Sequence, residues 1–379
     1  MTSIATPNYL ETLDKVIADV IAPASAEIDR TGAFPREGME ALGRAGLLGL
    51  ISATEVGGLG QGHRAAALAV EHLAQACAST AMVLSMHYSG TAVIEAYGPT
   101  EVRRDIAAGR HITTLAFSEA GSRSHFWAPL STATSVSGNG KVRLDAKKSW
   151  ATSAGQADSY VWSSRPLAAD GPSTLWLVQG NAPGLNIPAP FNGLGLRGNS
   201  SSPVIAEGVQ LDKSAMLGPD GSGFDTMMGV VLPYFQLMNA ASSLGIMEAA
   251  TSKTVAHAAG TRFEDVGSSL ADLPTIRAYI ARMQIKTDMV KCLVLDTISA
   301  LETGRADAQL RVLEVKAAAG ETATEVTDLA MRVCGGAAFR KEVGVERNFR
   351  DARAATVMAP TTDVLYDFIG KALCGMPLF

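Results

Sequence analysis

Cysteine is scarce in this chain of 379 residues, and the four present do not cluster. Cys77, Cys292, Cys334 and Cys374 lie far apart, form no C-x-x-C pair and have no histidine at metal-ligand spacing, which excludes a disulfide framework and a zinc site. Cys77 in QACAST and Cys292 in MVKCLVL sit in apolar stretches and read as small core residues. An excess of positive charge is missing too. The 32 Lys and Arg against 37 Asp and Glu leave a net charge of −5, and no basic stripe carries interleaved aromatics, so a nucleic-acid groove is excluded. No apolar run approaches the ~18 to 20 residues of a membrane span, and Glu11, Asp14 and Asp19 stand where a signal peptide would be apolar. The expectation is a cytoplasmic protein with no membrane contact. Common catalytic signatures are absent as well: no G-x-S-x-G, no H-E-x-x-H, and no G-x-G-x-x-G entering a helix. Serine hydrolase, zinc protease and Rossmann dinucleotide readings therefore lack support.

What is present falls into three textures, consistent with two or three domains on the soft rule of roughly 150 residues each. Residues 1–112 read as helices: YLETLDKVIADVIAPASAEI and MEALGRAGLLGLI space their apolar residues at helical intervals, and the stretch from Ala65 to Gly98 is apolar nearly all round. The glycine cluster EVGGLGQG between them lacks the Lys-Ser/Thr of a phosphate loop and reads as a helix–helix turn. Residues 113–220 turn to short β-branched or alternating runs (HITTLAF, LSTATSVSG, KVRLDAKKSW, SYVWSSR, STLWLVQG, SSPVIAEGVQL) broken by turn residues, the pattern of a small β-barrel or sandwich. Residues 221–379 return to long amphipathic helices. The predicted class is α+β: an N-terminal helical domain, a middle β-domain and a C-terminal helical bundle.

Chemistry-bearing residues gather in four clusters. AFSEAGSRS (116–124) and KKSWATSAGQAD (147–158) combine small residues with hydroxyls, which suits hydrogen bonding to a polar heteroaromatic ring with Trp150 over one face; each alone also reads as a polar loop beside a core tryptophan. GLRGNSS (195–201) and CGGAAFRKEVGVERNFRDAR (334–353) complete the set, the latter reading by itself as an ion-paired helix face.

In this order the clusters resemble the acyl-CoA dehydrogenase superfamily over essentially the whole chain. Its flavin-contacting T-E-P-x-A-G-S-D loop is matched by Ser118-Glu119-Ala120-Gly121 with Ser124, and its W-I-T-N strand by Trp150-Ala151-Thr152-Ser153. G-x-R-x-S-x-T is matched by Leu196-Arg197 with Ser200 and Ser201, and the late Gly-Gly and E-R-x-x-R-D-A-R motifs by Gly335-Gly336 with Phe339 and by Glu346 to Arg353. The resemblance implies a C-terminal four-helix bundle, bound FAD and a homo-oligomer, dimer or tetramer. It puts Leu115, Phe117 and Ser118 at the pyrimidine edge of the flavin, Trp150 beside the ring, Thr152 near N5 and Ser124 on the adenosyl or substrate side. Gly335, Gly336, Thr361 and Asp363 match positions near the FAD phosphates and adenosine, some across a subunit interface. Arg262 and Arg332 stand where replacement charge for the diphosphate would come from, since the usual Arg and Gln positions are altered. No metal is implied.

The departures bear on the reaction. The family's α-proton-abstracting glutamate falls on Ala359, within Met358-Ala359-Pro360-Thr361, and its alternative position on the first long C-terminal helix falls near Phe235. Replacement bases named from the sequence are Asp363, His87 and His125, with Glu248 and Glu119 behind them. Asp363 also reads as a first-turn acid and His87 as a hydrogen-bonded core residue. Three readings remain open: an acyl-thioester dehydrogenase with a relocated base, its substrate carried on CoA or a carrier protein; a monooxygenase using reduced flavin and O₂; and a non-catalytic flavoprotein. An electron-transfer flavoprotein or a flavin reductase is the implied redox partner.

Overall fold

The computed structural model describes residues 8–122, 125–136, 140–265 and 267–379. They form two compact units, one of residues up to 69, 82–192 and 197–235, the other of 70–81, 193–196 and 236–379.

The first unit opens with helices α1 (Asn8–Val16), α2 (Ala22–Thr31) and α3 (Arg36–Arg44), then α4 (His63–Ala76), α5 (Ala78–Tyr97) and α6 (Thr100–Ala107). The second halves of the α4 sequence and the start of α5 belong to the other unit. EVGGLGQG makes the expected turn, with Gly57 at φ 94° ending a single 3-10 turn. Each residue from Ala81 to Ile94 is buried, because α5 has no polar stripe with which to face water.

Seven strands follow: β1 (Thr113–Ala116), β2 (Thr132–Val136), β3 (Lys141–Ala151), β4 (Ser159–Ser164), β5 (Thr174–Gln179), β6 (Leu185–Asn186) and β7 (Ser202–Asp212). They form two sheets, ordered β1-β4-β5 and β2-β3-β7-β6. Val142, Leu144, Tyr160, Trp162, Trp176, Val204 and Val209 share one core, so the domain is a sandwich. β3 alternates buried and open positions over its first eight residues, which is the period-2 signature of a strand with one wet face. Its pairing with β7 then slips between Lys148 and Ala151. Such an irregularity re-aims side chains locally, and here Trp150 emerges 64% exposed. The alternative reading of Trp150 as part of the core does not hold. A short helix α7 (Gly223–Thr226) closes this part of the chain.

The second unit is built on α8 (Leu232–Gly260) from Gln236 onward, α9 (Pro274–Thr303), α10 (Ala308–Cys334), α11 (Val345–Ala352), α12 (Ala354–Val357) and α13 (Thr362–Leu373). α9 starts with Pro274 at its first turn and stops at Gly304, φ 62°, where a left-handed residue ends the hydrogen-bond ladder. Lys291 on α9 reaches Glu71 and Glu248, both at 2.9 Å, tying α9 to the end of α4 and to α8. The same pair of helices meets at Gly245, where a Cβ would come 2.3 Å from the Glu71 carbonyl oxygen.

Three expectations change here. A hairpin, β8 (Arg262–Phe263) with β9 (Ser268–Ser269), interrupts the region read as wholly helical. The continuous helical run Gly223–Gly260 does reach the length and apolar composition of a membrane span, contrary to the sequence reading, and 83% of its most apolar window is buried inside the protein, as in a core helix. Cys292 is exposed rather than core, on the stretch of α9 that also exposes Ile285 and Met289.

Candidate functional site

In the first unit the loop after β1 lies along the end of β3. Ser149 donates its backbone N–H to the Ser118 carbonyl at 2.9 Å, and Glu119 bridges to Lys148. Beneath this contact a buried ion pair anchors the loop. The Lys148 Nζ donates to Glu119 Oε1 at 2.5 Å, to the Ser163 carbonyl at 2.7 Å and to Ser163 Oγ at 3.0 Å. The carboxylate also accepts from the backbone N–H groups of Leu130 and Ser131 and from Ser131 Oγ. Burial opposes both charges and pushes Lys148 down to about 8; burial likewise works against ionisation of Glu119, but Lys148, Ser131 and Leu130 more than offset it and hold its carboxyl below the usual range. Glu119 is thus a structural anion and not a base.

Above the anchor, Leu115 and Phe117 are buried, Phe117 stacking on Phe126 with ring centroids 6.3 Å apart. Trp150 presents its exposed indole and meets the Phe191 ring edge-on. Thr152 Oγ1 sits 3.1 Å from Ser201 Oγ, and Ser153 holds a left-handed φ of 61°. The hydroxyls of Ser149 and Ser153 are buried without a partner among the described residues. An exposed indole on a strand end that also carries hydroxylic residues suits a flat heteroaromatic with hydrogen-bonding edges, which the isoalloxazine of FAD is. Ser124 lies outside the described residues.

His87 is committed to the fold. Its Nε2 lies 3.0 Å from the Leu48 carbonyl, and its Nδ1 accepts the Thr113 N–H at 3.2 Å, so both ring nitrogens serve backbone. That arrangement needs the neutral imidazole with its proton on Nε2, and burial pushes its pKa down to about 4. Because this value is below the ordinary 6.5, the unfolded chain binds the extra proton between the two, and stability falls as the pH drops through that window. At about 1.4 kcal/mol per pH unit the loss is roughly 3 kcal/mol. Urea unfolding at pH 7 and pH 4.5 is expected to show it in the parent protein, and a His87→Gln variant is expected to lack it. His125 is half-buried and stacks on Trp127 with centroids 4.7 Å apart.

In the second unit, Gly335 closes α10 at φ 56°, ψ −136°, a backbone conformation that only glycine adopts without strain. A Cβ at Gly335 or Gly336 would meet nothing within 4 Å, and Phe339 beside them is 82% exposed. Arg332 stacks over the Tyr279 ring at 4.9 Å, while Arg262 is exposed on β8. Thr361 caps α13, accepting the Val364 N–H at 3.5 Å, and Asp363 is an exposed acid in that helix's first turn, where it complements the helix dipole. Glu248 is held by Lys291 and by Gln75 at 2.7 Å, which removes it from the bases named from the sequence.

One residue of this unit was missed. Lys316, on α10, is fully buried, and its Nζ donates to the carbonyls of Ala355 and Met358 at 3.0 Å each and of Pro360 at 2.8 Å. Burial pushes it down to about 7, and three carbonyl acceptors, one for each N–H, hold the ammonium in place. It thereby clamps the Met358–Pro360 loop around Ala359. In the sequence it is one lysine in an alanine-rich helix, and only the burial of its neighbours Val315, Ala317 and Ala319 distinguishes it.

Three family models match the chain in order: acyl-CoA dehydrogenase, N-terminal domain, over residues 8–109; middle domain, over 114–209; and C-terminal domain, over 221–374. The chain belongs to the acyl-CoA dehydrogenase family. It is 28% identical over 365 residues to the human mitochondrial short-chain specific acyl-CoA dehydrogenase, covering 94% of this chain and 86% of that one. It is 27% identical over 372 residues to the cyclohex-1-ene-1-carbonyl-CoA dehydrogenase of Geobacter metallireducens, covering 96% of each. The solved butyryl-CoA dehydrogenase of Megasphaera elsdenii shares its fold with a TM-score of 0.89 at 23% identity, covering 97% of both chains. Acyl-CoA dehydrogenases are flavin-dependent oxidoreductases whose members use FAD, and this chain is an oxidoreductase of that superfamily.

Proposed function

We propose that this acyl-CoA dehydrogenase homologue binds FAD and oxidises an acyl thioester at the α,β-carbons without a glutamate at residue 359. The observation that supports this most directly is the exposed Trp150 indole on a strand end that pairs with the Ser118 loop and carries Thr152 and the unpartnered hydroxyls of Ser149 and Ser153. Leu115 and Phe117 would offer backbone groups to the pyrimidine edge, and Gly335, Gly336 and Thr361, some of them from a neighbouring subunit, would admit the phosphates and adenosine, with Arg262 and Arg332 as counter-charge. Bound FAD would supply the acceptor for hydride from Cβ. The chain's own part is to hold the thioester, exclude water and take the α-proton. Asp363 and His125 are the two proposed bases, because His87, Glu119 and Glu248 are engaged elsewhere. Electrons would leave through an electron-transfer flavoprotein, and the exposed Ile285, Met289 and Phe339 would be covered in a homo-oligomer.

The test is anaerobic bleaching of bound flavin by a panel of acyl-CoAs. The parent is expected to bleach with the right thioester, and Asp363→Asn or His125→Gln is expected to slow it by 10²-fold or more, the usual scale for a lost general base. Ala359→Glu is expected to raise activity toward simple acyl-CoAs, with Ala359→Gln as the uncharged control. If the Glu and Gln variants behave alike, residue 359 does not face the substrate.

A further inference from the structure

Buried polar groups are nearly always paired, and an amide left without partners in a core costs about 1–3 kcal/mol for each orphaned group. α8 carries two such amides on one face. Gln236 is fully buried with neither Oε1 nor Nε2 hydrogen-bonded among the described residues, and three residues on, Asn239 is buried with its Oδ1 unpartnered. Residues at i and i+3 share a helix face, so both side chains leave the same face of α8. The Nδ2 of Asn239 lies 3.5 Å from the Sδ of Met358, which places Asn239 beside the loop that Lys316 clamps around Ala359. At the other end of that loop Thr362 is buried with its hydroxyl also unpartnered. Leu237, Met238, Ala240 and Ala241, the residues between and just after the amides, are apolar and fully buried.

We propose that Gln236 and Asn239 form a polar acyl-recognition subsite, and that the preferred acyl group carries a neutral hydrogen-bonding substituent such as a hydroxyl or carboxamide. This rests on the reading that the chain takes acyl thioesters and that the 358–360 loop faces them. The substituent is neutral because a buried carboxylate would need a cation, and the cation that holds the loop, Lys316 on α10, spends all three N–H donors on carbonyls. Two amides offer donors and acceptors together, which suits a hydroxyl. Sites built to pair with a substrate hydroxyl discriminate strongly against the analogue lacking it, since the site's own polar groups are then left unpaired.

The experiment measures calorimetric binding of pentanoyl-CoA and its 3-, 4- and 5-hydroxy analogues to the flavin-loaded enzyme, for the parent and for Gln236→Leu/Asn239→Leu, together with ligand-free thermal unfolding of both. The parent is expected to bind one hydroxy analogue at least about tenfold more tightly than pentanoyl-CoA, a preference worth one well-made hydrogen bond. The double variant is expected to lose that preference and to unfold, without ligand, at the same or a higher temperature. A variant that melts well below the parent overturns the proposal, because the amides then serve the fold. Pentanoyl-CoA bound by the parent as tightly as every hydroxy analogue also overturns it and leaves thioester oxidation standing. If the parent binds none of the four, the thioester reading fails and takes this subsite with it.

Discussion

Lys148→Met is expected to cost roughly 3–5 kcal/mol of stability, the range for removing one partner of a buried ion pair. The figure is large because of what stays behind. Glu119, with a side chain 4% exposed, keeps its bonds to Leu130 and Ser131 but loses the only cation that touches it among the described residues. The Ser163 carbonyl and hydroxyl lose a donor in the same step, and Trp162 loses the ammonium 5.2 Å from its ring centroid. Equilibrium urea unfolding of single and double variants checks this. Lys148→Met/Glu119→Gln is expected to recover much of the loss, since the cost lies in an unmatched charge more than in missing contacts. Equal losses for the single and double variants would mean that the pair is not coupled.

Lys316→Met is expected to cost about 3 kcal/mol, and by a different route. Among the described residues no carboxylate pairs with this ammonium; its partners are three carbonyls, that of Ala355 within the short helix α12 and those of Met358 and Pro360 after it. Methionine fills the volume but donates nothing, so each carbonyl becomes a buried, unpaired acceptor at about 1–3 kcal/mol, partly offset by no longer burying a charge. Removing an acid elsewhere cannot restore stability here, in contrast to Lys148. Urea unfolding reads the loss. Hydrogen exchange is expected to show faster opening at Met358 than at the centre of α10, because the clamp sits at one end of the loop. A variant as stable as the parent would show that the carbonyls are satisfied without Lys316.

The contrast between these two lysines shows what a sequence can disclose. The strands were legible because KVRLDAKKSW alternates and SYVWSSR does not, which distinguishes a half-wet strand from a buried one. Trp150, Thr152 and Gly335-Gly336 were legible as a constellation, in order, although no one of them was distinctive. Lys316 was not, because its partners are backbone groups 39 to 44 positions away, and carbonyls carry no letter. Gln236 and Asn239 were hidden for the opposite reason: what marks them is the partners they lack. His87 stood among the candidate bases although its apolar helix favoured a hydrogen-bonded core residue, and Leu48 and Thr113 at its two nitrogens give the partners that the sequence could not name. Cys292 was misjudged because MVKCLVL is apolar by composition, yet a helix turns 100° per residue and sets that cysteine outward.

The absent side chain at position 245 works as a gauge of length. Lys291 can reach Glu71 and Glu248 together only while the end of α4 and the middle of α8 stand at the separation that a hydrogen atom at Gly245 permits. A methyl group there would push the Glu71 backbone away, and a cation on a tether of fixed length would have to choose one acid. The other would be left as a second negative charge beside the first, in a place where burial already pushes the Glu71 carboxyl above its ordinary range. A glycine thus decides whether three charged residues act as a brace between helices or as a source of repulsion.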